Sequence, residues 1–221
     1  MKIVFLDRDG VINAFPGNGN YVTKLKNFRF IPGSLEAIKT LTDEGYVIFV
    51  ISNQAGVGKG VYSLDKLKHI NRNMLRGIKK AGGKIKKIYY CIHRSDAGCK
   101  CRKPEIEHIE KAVKLLGKTI RSARGNFFVG DTKSDILTGY NAGCKTILVL
   151  SGRARRRDVR AWGVKPDFIV KNLRAAAKIV IENPAPDEEL VDSNLTFLKQ
   201  NILAESSENG KKIMVKKEGL L

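Results

Sequence analysis

Two aspartates, Asp7 and Asp9, directly follow the first apolar segment of the 221-residue chain, in "KIVFLDRDGVIN". Residues i and i+2 of an extended chain share a face, so both carboxylates are expected on the same side. Such a pair suits phosphoryl transfer. One carboxylate can attack phosphorus, and the other can protonate the leaving oxygen and later deprotonate water. We therefore assign Asp7 as candidate nucleophile and Asp9 as candidate acid/base. The alternative is a pair of solvated turn residues.

Two further apolar segments also end in groups suited to phosphate chemistry. The segment "VIFVISNQAGVGKG" reaches Ser52 and Asn53, where a hydroxyl and backbone N–H groups could hold phosphate oxygens. Asn53 stands where a nucleotide P-loop needs its first glycine, which argues against that motif. The segment "NFFVGDTKSD" reaches Asp131. A third carboxylate beside the first pair would complete an oxygen-rich site for a catalytic Mg²⁺.

Metal-binding residue types are concentrated in "YYCIHRSDAGCKCRKP". Two short spacers separate Cys91 from His93 and Cys99 from Cys101, and four sulfur and nitrogen ligands suit a closed tetrahedral Zn²⁺ site with a structural role. The alternative is a loop of reduced cysteines. The fourth cysteine, Cys144, precedes the apolar run "KTILVL" and is expected to pack at the start of a strand.

A fixed positive pair, Arg102 and Lys103, ends this cluster. Pro104 is well suited to the first position of a helix, so we expect the pair at a helix N-terminus that attracts anions. Lysine offers a point charge to a transferring phosphoryl group, whereas arginine offers a planar fork to another part of the substrate.

The elements that must position these groups alternate along the chain. Six short β-rich segments are each followed by an amphipathic segment, which predicts an α/β, Rossmann-like three-layer sandwich with a mainly parallel sheet. Ligands of such sheets bind at the carboxyl ends of the strands. We expect one domain over residues 1–182 with the zinc loop at 91–101. Residues 183–221, rich in proline and acidic residues at their start, are expected to form an appendage of unknown role.

The overall composition limits the class of protein. No apolar run approaches the roughly 20 residues that span a bilayer, and no signal peptide pattern opens the chain, so we expect a cytoplasmic protein with no membrane partner. The net charge is +19, and the first 180 residues carry 36 basic and 14 acidic residues. Such a field attracts anions and could bind nucleic acid non-specifically. Simple compositional bias is the alternative.

With these residues assembled, the chain resembles phosphatases of the haloacid dehalogenase (HAD) superfamily. The segments "FLDRDGVIN", "SNQAGVGKG", "CIH…CKCRKP" and "VGDTKSD" are similar to the D-glycero-D-manno-heptose 1,7-bisphosphate phosphatase and histidinol-phosphatase group. The resemblance covers about residues 1–180 and implies a Rossmann-like fold without a large cap domain. Its four motifs correspond to Asp7-Arg8-Asp9-Gly10, to Ser52, to Lys103, and to Gly130-Asp131 with Asp135.

The resemblance also implies roles for individual residues. Mg²⁺ would be held by Asp7, by the backbone carbonyl of Asp9 and by Asp131. Ser52, Asn53 and Lys103 would bind the phosphoryl group, while Asn20, Tyr21, Gln54 and Arg102 would contact the rest of the substrate.

The sequence departs from this group outside the phosphoryl-transfer residues. Ile92 replaces a proline that the group often has, Thr132 intervenes before Lys133, and the loop after Asn13 is longer. We expect a small-molecule phosphate ester as substrate, with a heptose bisphosphate dephosphorylated at C7 ahead of histidinol phosphate, and a monomeric enzyme. The alternatives are a phosphatase of nucleic-acid 3′ ends and a non-catalytic zinc-bearing binding module.

Overall fold

The computed structural model describes residues 1–185. Residues 2–185 form one compact unit, whereas the predicted appendage lies almost entirely outside the described residues. The strands are β1 Ile3–Leu6, β2 Val47–Asn53, β3 Lys87–Cys91, β4 Phe127–Gly130, β5 Lys145–Val149 and β6 Phe168–Val170. The α-helices are α1 Ser34–Asp43, α2 Leu64–Lys80, α3 Glu107–Lys114, α4 Lys133–Asn141 and α5 Leu173–Glu182.

All six strands pair in parallel, in the order β3-β2-β1-β4-β5-β6. The chain runs from β1 outward to β3 and then returns to the other side of β1 with β4. This reversal makes the carboxyl ends of β1 and β4 a topological switch point, where ligands bind in open parallel sheets. Leu6 on β1 is in register with Val50 on β2 and Val129 on β4, so the residues that follow these strands are neighbours.

Helices cover both faces of the sheet, which confirms the predicted three-layer α/β sandwich. Alternate strand residues enter separate cores, because successive side chains of a strand point to opposite faces. Val4 and Leu6 pack with α1, α2 and α5, whereas Ile3 and Phe5 pack with α3. The rings of Phe49 and Phe128 both stack on the ring of Phe5. The two cores hold the central strand rigidly from both sides.

Two local predictions can be compared with the structure. Cys144 is buried immediately before β5, as expected. The prediction that Pro104 begins a helix was wrong, since α3 begins at Glu107. The basic segment Arg156–Ala161 forms a 3₁₀ helix, in which Arg156, Arg157 and Arg160 are exposed. Among the described residues, no helix is long and apolar enough to cross a membrane.

Candidate active site

Three carboxylates meet at the carboxyl ends of β1 and β4. Asp7 follows β1 and its backbone N–H donates to the Val129 carbonyl at 2.9 Å, while Asp131 follows β4. Asp135 lies in the first turn of α4. Carboxylate oxygens of these three aspartates all lie within 4.8 Å of one another, and all three residues are buried. The structure therefore brings Asp7 and Asp131 together as expected and adds Asp135 to the cluster.

The electrostatics of this cluster favour a bound cation. The pKa of Asp7 is raised to about 6, chiefly by burial, which outweighs the opposing effect of the Lys103 ammonium group, and in part by the neighbouring carboxylate of Asp135. Burial and the same neighbouring carboxylates hold the pKa of Asp131 well above its usual value. Carboxylates at this spacing repel one another, and an oxygen-binding divalent cation relieves that repulsion. The donor set thus fits Mg²⁺.

The carboxylates of Asp135 and Asp131 are positioned by different sets of contacts. Thr132 and Asp135 form a capping box at the start of α4: the Asp135 carboxylate accepts from the Thr132 backbone N–H at 2.9 Å. The carboxylate of Asp131 accepts from the Arg153 backbone N–H at 2.6 Å. Gly10 and Gly152 press against this carboxylate so closely that a Cβ on either residue would overlap it, and Gly10 has a φ of +87°. Only glycine fits these two positions without a shift.

Lys103 places its ammonium group between two of these carboxylates. Its Nζ atom lies 2.9 Å from Asp7 Oδ1 and 2.5 Å from Asp135 Oδ1, and it donates to the Ile51 carbonyl at 2.9 Å. Although burial alone would lower the pKa of Lys103, the two carboxylates outweigh burial and raise it. Lysine is therefore charged, and it adjoins the predicted nucleophile as the sequence analysis expects.

The side chain of Asn53 fixes the backbone of Lys103. Its Oδ1 accepts from the Lys103 backbone N–H at 3.1 Å, and its Nδ2 donates to the Lys103 carbonyl at 3.2 Å. This reciprocal pair joins the end of β2 to a segment 50 residues away. The side chain of Asn53 thus holds the backbone of Lys103 in place beside the cavity.

A cavity of about 220 Å³ opens over this cluster. An adjacent cavity of about 540 Å³ shares five residues with it, all from the connection between Asn13 and Val22. The predicted substrate-binding residues Asn20 and Tyr21 are among these five. The residues that line the first cavity include the predicted groups Asp7, Asp9, Ser52, Asn53, Arg102, Lys103 and Asp131.

Arg102 and Gln54 differ in their relation to this cavity. Arg102 lines it, and its Nη1 atom is buried with no hydrogen-bond partner among residues 1–185. Gln54 is not on the wall, so the prediction that it binds substrate is corrected. Its side chain is 1% exposed and hydrogen-bonds inward to Asp9 and Ser52.

Asp9 belongs to a second network and not to the three-carboxylate cluster. Its carboxylate accepts from Gln54 Nε2 at 2.8 Å, from Asn13 Nδ2 at 2.8 Å and from Arg8 Nη2 at 2.9 Å. Burial raises the pKa of Asp9, but the Arg8 guanidinium and these hydrogen bonds outweigh burial and lower it. Sequence reasoning missed Arg8, whose only signal is its position between two aspartates.

The predicted zinc ligands converge at the end of β3. Cys91 Sγ lies 3.6 Å from Cys99 Sγ and 3.6 Å from His93 Nδ1. Cys101 Sγ lies 3.7 Å from Cys99 Sγ and 3.2 Å from His93 Nδ1. Sulfurs around a tetrahedral zinc with Zn–S bonds of ~2.3 Å are about 3.75 Å apart, so the four atoms are spaced as such a site requires.

Parallel strands that end in clustered carboxylates beside a buried lysine define a class of phosphoryl-transfer hydrolases, and comparisons with known proteins agree. The HAD-hydrolase-like family profile matches residues 100–176. A D-glycero-β-D-manno-heptose-1,7-bisphosphate 7-phosphatase from Neisseria meningitidis is 33% identical over 156 residues, covering 71% of this chain and 81% of that protein. One from Pasteurella multocida is 31% identical over 186 residues, covering 81% and 96%.

A solved structure is similar in both fold and sequence. The D,D-heptose 1,7-bisphosphate phosphatase from B. bronchiseptica, complexed with magnesium and phosphate, has a TM-score of 0.75 and 30% identity. The alignment covers 83% of this chain and 100% of that one. This chain belongs to the HAD-like phosphatases, in the family of the D-glycero-D-manno-heptose 1,7-bisphosphate phosphatases.

Proposed function

We propose that the protein is a Mg²⁺-dependent phosphomonoesterase that removes the C7 phosphate of D-glycero-D-manno-heptose 1,7-bisphosphate through an aspartyl-phosphate intermediate. The observation that carries this proposal is the cluster of Asp7, Asp131 and Asp135, two of which pair with the Lys103 ammonium group, beside an open cavity that Asp7, Lys103 and Asp131 line. The relatives that share most of the chain bear the name of this heptose phosphatase activity.

Mg²⁺ would be held by the carboxylates of Asp7 and Asp131 together with the backbone carbonyl of Asp9. When bound, it supplies positive charge that shields the nucleophile from the negatively charged phosphate. Lys103 carries a fixed positive charge beside Asp7, and it stabilises charge on the transferring phosphoryl oxygens. The Ser52 hydroxyl, also at the cavity wall, donates to another of these oxygens.

The first step forms a bond between an Asp7 carboxylate oxygen and phosphorus while the bond from phosphorus to the sugar oxygen breaks. Asp9 lies two residues beyond the nucleophile on the same cavity wall, and it gives its proton to the departing sugar oxygen. The products of this step are the dephosphorylated sugar, an aspartyl phosphate on Asp7 and an ionised Asp9.

The second step hydrolyses the aspartyl phosphate. Ionised Asp9 takes a proton from a water molecule as the water oxygen bonds to phosphorus, and the bond between phosphorus and the Asp7 carboxylate breaks. Inorganic phosphate leaves, and both aspartates return to their starting states. The Arg8 guanidinium and the hydrogen bonds that lower the pKa of Asp9 favour the ionised form that this step requires. The first step requires instead that Asp9 take up a proton when the negatively charged phosphate binds beside it, because a nearby negative charge raises the pKa of a carboxyl group.

The substrate end of the cavity suits a second polar group. Arg102 lines the cavity, and its Nη1 atom is buried without a partner in the described part of the chain. An unpaired buried donor is costly unless a ligand satisfies it. The neighbouring 540 Å³ cavity gives room for a molecule larger than a phosphate ion. We therefore propose that Arg102 binds an oxygen of the sugar or of its second phosphate.

A panel of phosphate esters tests this proposal. With Mg²⁺, we expect kcat/KM for the heptose bisphosphate to exceed that for histidinol phosphate and oligonucleotide 3′-phosphates by about 10²-fold. Histidinol phosphate has no second phosphate group, and the other phosphates along an oligonucleotide chain are diesters, so neither offers the second phosphate monoester that the heptose bisphosphate has. A relative named for the β anomer and one named for the α anomer are both 33% identical to this chain, so both anomers belong in the panel. A higher value for histidinol phosphate contradicts the proposal, as does salt-sensitive hydrolysis of oligonucleotides in preference to sugars.

We further propose that Cys91, His93, Cys99 and Cys101 bind one structural Zn²⁺. The separations of their donor atoms fit a tetrahedral site. The segment that carries them continues directly into Lys103, so zinc would stiffen the chain just before the ammonium group of the active site.

Removing one zinc ligand should lower both metal content and stability. We expect one zinc per chain in the wild type, measured by elemental analysis, and far less in Cys101→Ser. The melting temperature should fall by about 10 °C, the shift expected when roughly 3 kcal/mol is lost from a domain of this size. Cys144→Ala, which removes a cysteine remote from the cluster, should keep its zinc. Equal zinc contents in Cys101→Ser and the wild type would rule out this site.

A further inference from the structure

The amide of Gln54 lies behind the cavity wall, between two groups of different proposed roles. Its Nε2 atom donates to Asp9 Oδ2 at 2.8 Å and to Ser52 Oγ at 2.9 Å. The residue is 1% exposed. A primary amide has two N–H hydrogens, so Gln54 donates one to Asp9, the proposed acid/base, and the other to the Ser52 hydroxyl, which is proposed to bind phosphate.

The orientation of this amide is determined by its other end. Gln54 Oε1 accepts from Arg8 Nη2 at 3.0 Å and from the Tyr62 hydroxyl at 2.6 Å. Arginine has donors only, so an amide turned the other way would place two N–H groups against a guanidinium. Arg8 is itself 1% exposed and donates to Asn71 on α2 at 3.1 Å. The amide therefore has one satisfied orientation.

This orientation has a consequence for Ser52. Its Oγ atom accepts the hydrogen bond from Gln54, which leaves the hydroxyl hydrogen to donate elsewhere. Ser52 lines the cavity, and a phosphoryl oxygen there is an acceptor. The hydrogen bond from Gln54 thus fixes Ser52 as a donor toward the cavity.

The same hydrogen-bond pattern orients Asp9. Its Oδ2 atom accepts from Gln54 and Arg8, and its Oδ1 atom accepts from Asn13 at 2.8 Å and from Arg8. The side chain remains 21% exposed and lines the cavity. These donors hold the carboxylate in a single orientation.

We propose that Gln54 is a positioning residue that fixes the position of the Asp9 carboxyl group relative to the Ser52 hydroxyl. In this arrangement the leaving-group oxygen of the substrate contacts Asp9 while a phosphoryl oxygen contacts Ser52. This inference rests on the proposed phosphatase function. Gln54 contacts no substrate in this arrangement, and it acts through the two groups that its amide joins. Arg8 and Tyr62 support it by fixing the amide orientation.

The test compares two leaving groups in the variant Gln54→Met, which keeps a similar volume. The substitution removes the two hydrogen bonds that the amide donates and the two that it accepts. A sugar alkoxide leaves only if it is protonated, whereas 2,4-dinitrophenolate leaves without a proton. The quantity to measure is kcat/KM, because it reports formation of the aspartyl phosphate and not its hydrolysis. General acid catalysis contributes about 10²- to 10⁴-fold.

We expect Gln54→Met to lower kcat/KM for the sugar phosphate by about 10²-fold, and to lower it for 2,4-dinitrophenyl phosphate at least about 10-fold less. Equal losses for the two esters would overturn the inference, because general damage to the fold affects both substrates alike. A wild type that hydrolyses neither ester would instead overturn the proposed function.

A milder variant keeps the test usable if Gln54→Met fails to fold. Tyr62→Phe removes one hydrogen-bond donor from Gln54 Oε1 and leaves the guanidinium contact. It should lower kcat/KM for the sugar phosphate by about 5-fold, roughly the worth of one hydrogen bond, and change the dinitrophenyl ester by less than about 2-fold. Tyr140→Phe, at a residue 68% exposed and away from the active-site cavity, is the matched control and should change neither. An equal effect of Tyr62→Phe on both esters would again contradict the inference.

Discussion

The variant Asp7→Asn should release phosphate at least about 10⁴-fold more slowly than the wild type, as expected for the loss of a covalent nucleophile. An amide nitrogen or oxygen at this position cannot attack phosphorus to form an acyl phosphate. The change is nearly isosteric, and Lys103 keeps its ion pair with Asp135, so the fold should persist. Steady-state phosphate release measures the loss, and rapid acid quench with labelled substrate should trap labelled protein only in the wild type.

The matched control for this variant is Asp65→Asn. The Asp65 side chain is 92% exposed in the first turn of α2, so the same chemical change there should leave activity within about 2-fold. Retention of more than about 1% of wild-type activity in Asp7→Asn, with no contamination by host phosphatases, would remove Asp7 from the role of nucleophile.

The variant Lys103→Met should affect activity and stability together. It deletes the ammonium group that lies between Asp7 and Asp135 and leaves these buried carboxylates without their cation. We expect kcat/KM to fall by about 10³-fold, as when a charge-stabilising donor is removed. The free energy of unfolding should fall by about 3 kcal/mol, because breaking one side of a buried ion pair leaves an uncompensated charge.

Urea denaturation with and without Mg²⁺ measures the stability effect of Lys103→Met. The variant should be stabilised by Mg²⁺ more than the wild type is, since the cation compensates part of the lost charge. Lys66→Met, at an exposed residue of α2, is the control and should unfold as the wild type does. An unfolding free energy for Lys103→Met within about 0.5 kcal/mol of the wild-type value would contradict this account.

The convergence of Asp7, Ser52 and Asp131 could be predicted because it follows from a local rule. Each residue comes directly after a β-rich apolar segment, and parallel strands bring their carboxyl ends to one edge of the sheet. The cysteines and the histidine near Cys91 are likewise close in sequence, so short loops are enough to bring them together. In these cases the sequence neighbours of a residue largely determine where it lies.

The side chains of Asn53 and Gln54 could not be placed in the same way. Their partners are distant in sequence: Asn53 pairs with Lys103, and Gln54 pairs with Arg8, 46 residues before it. The resemblance to known phosphatases implied that Asn53 binds the phosphoryl group and that Gln54 contacts the rest of the substrate. The orientation of both side chains depends on hydrogen bonds that exist only once the segments are packed. The start of α3 at Glu107 instead of Pro104 could not be predicted for a similar reason. The backbone groups of Lys103 hydrogen-bond to the distant side chain of Asn53 and not to the first turn of a helix.

The loop between Asn13 and Val22 lines both of the adjoining cavities, and its position affects how the protein can evolve. The groups proposed to break the phosphate ester lie at strand ends and in the segment after β3. The wall that the two cavities share belongs instead to a single loop. Insertions or deletions in that loop would change the size of the cavity space around the rest of the substrate and leave the carboxylates at the strand ends in place. Descendants of this protein could thus change which esters they accept while conserving how they cleave them.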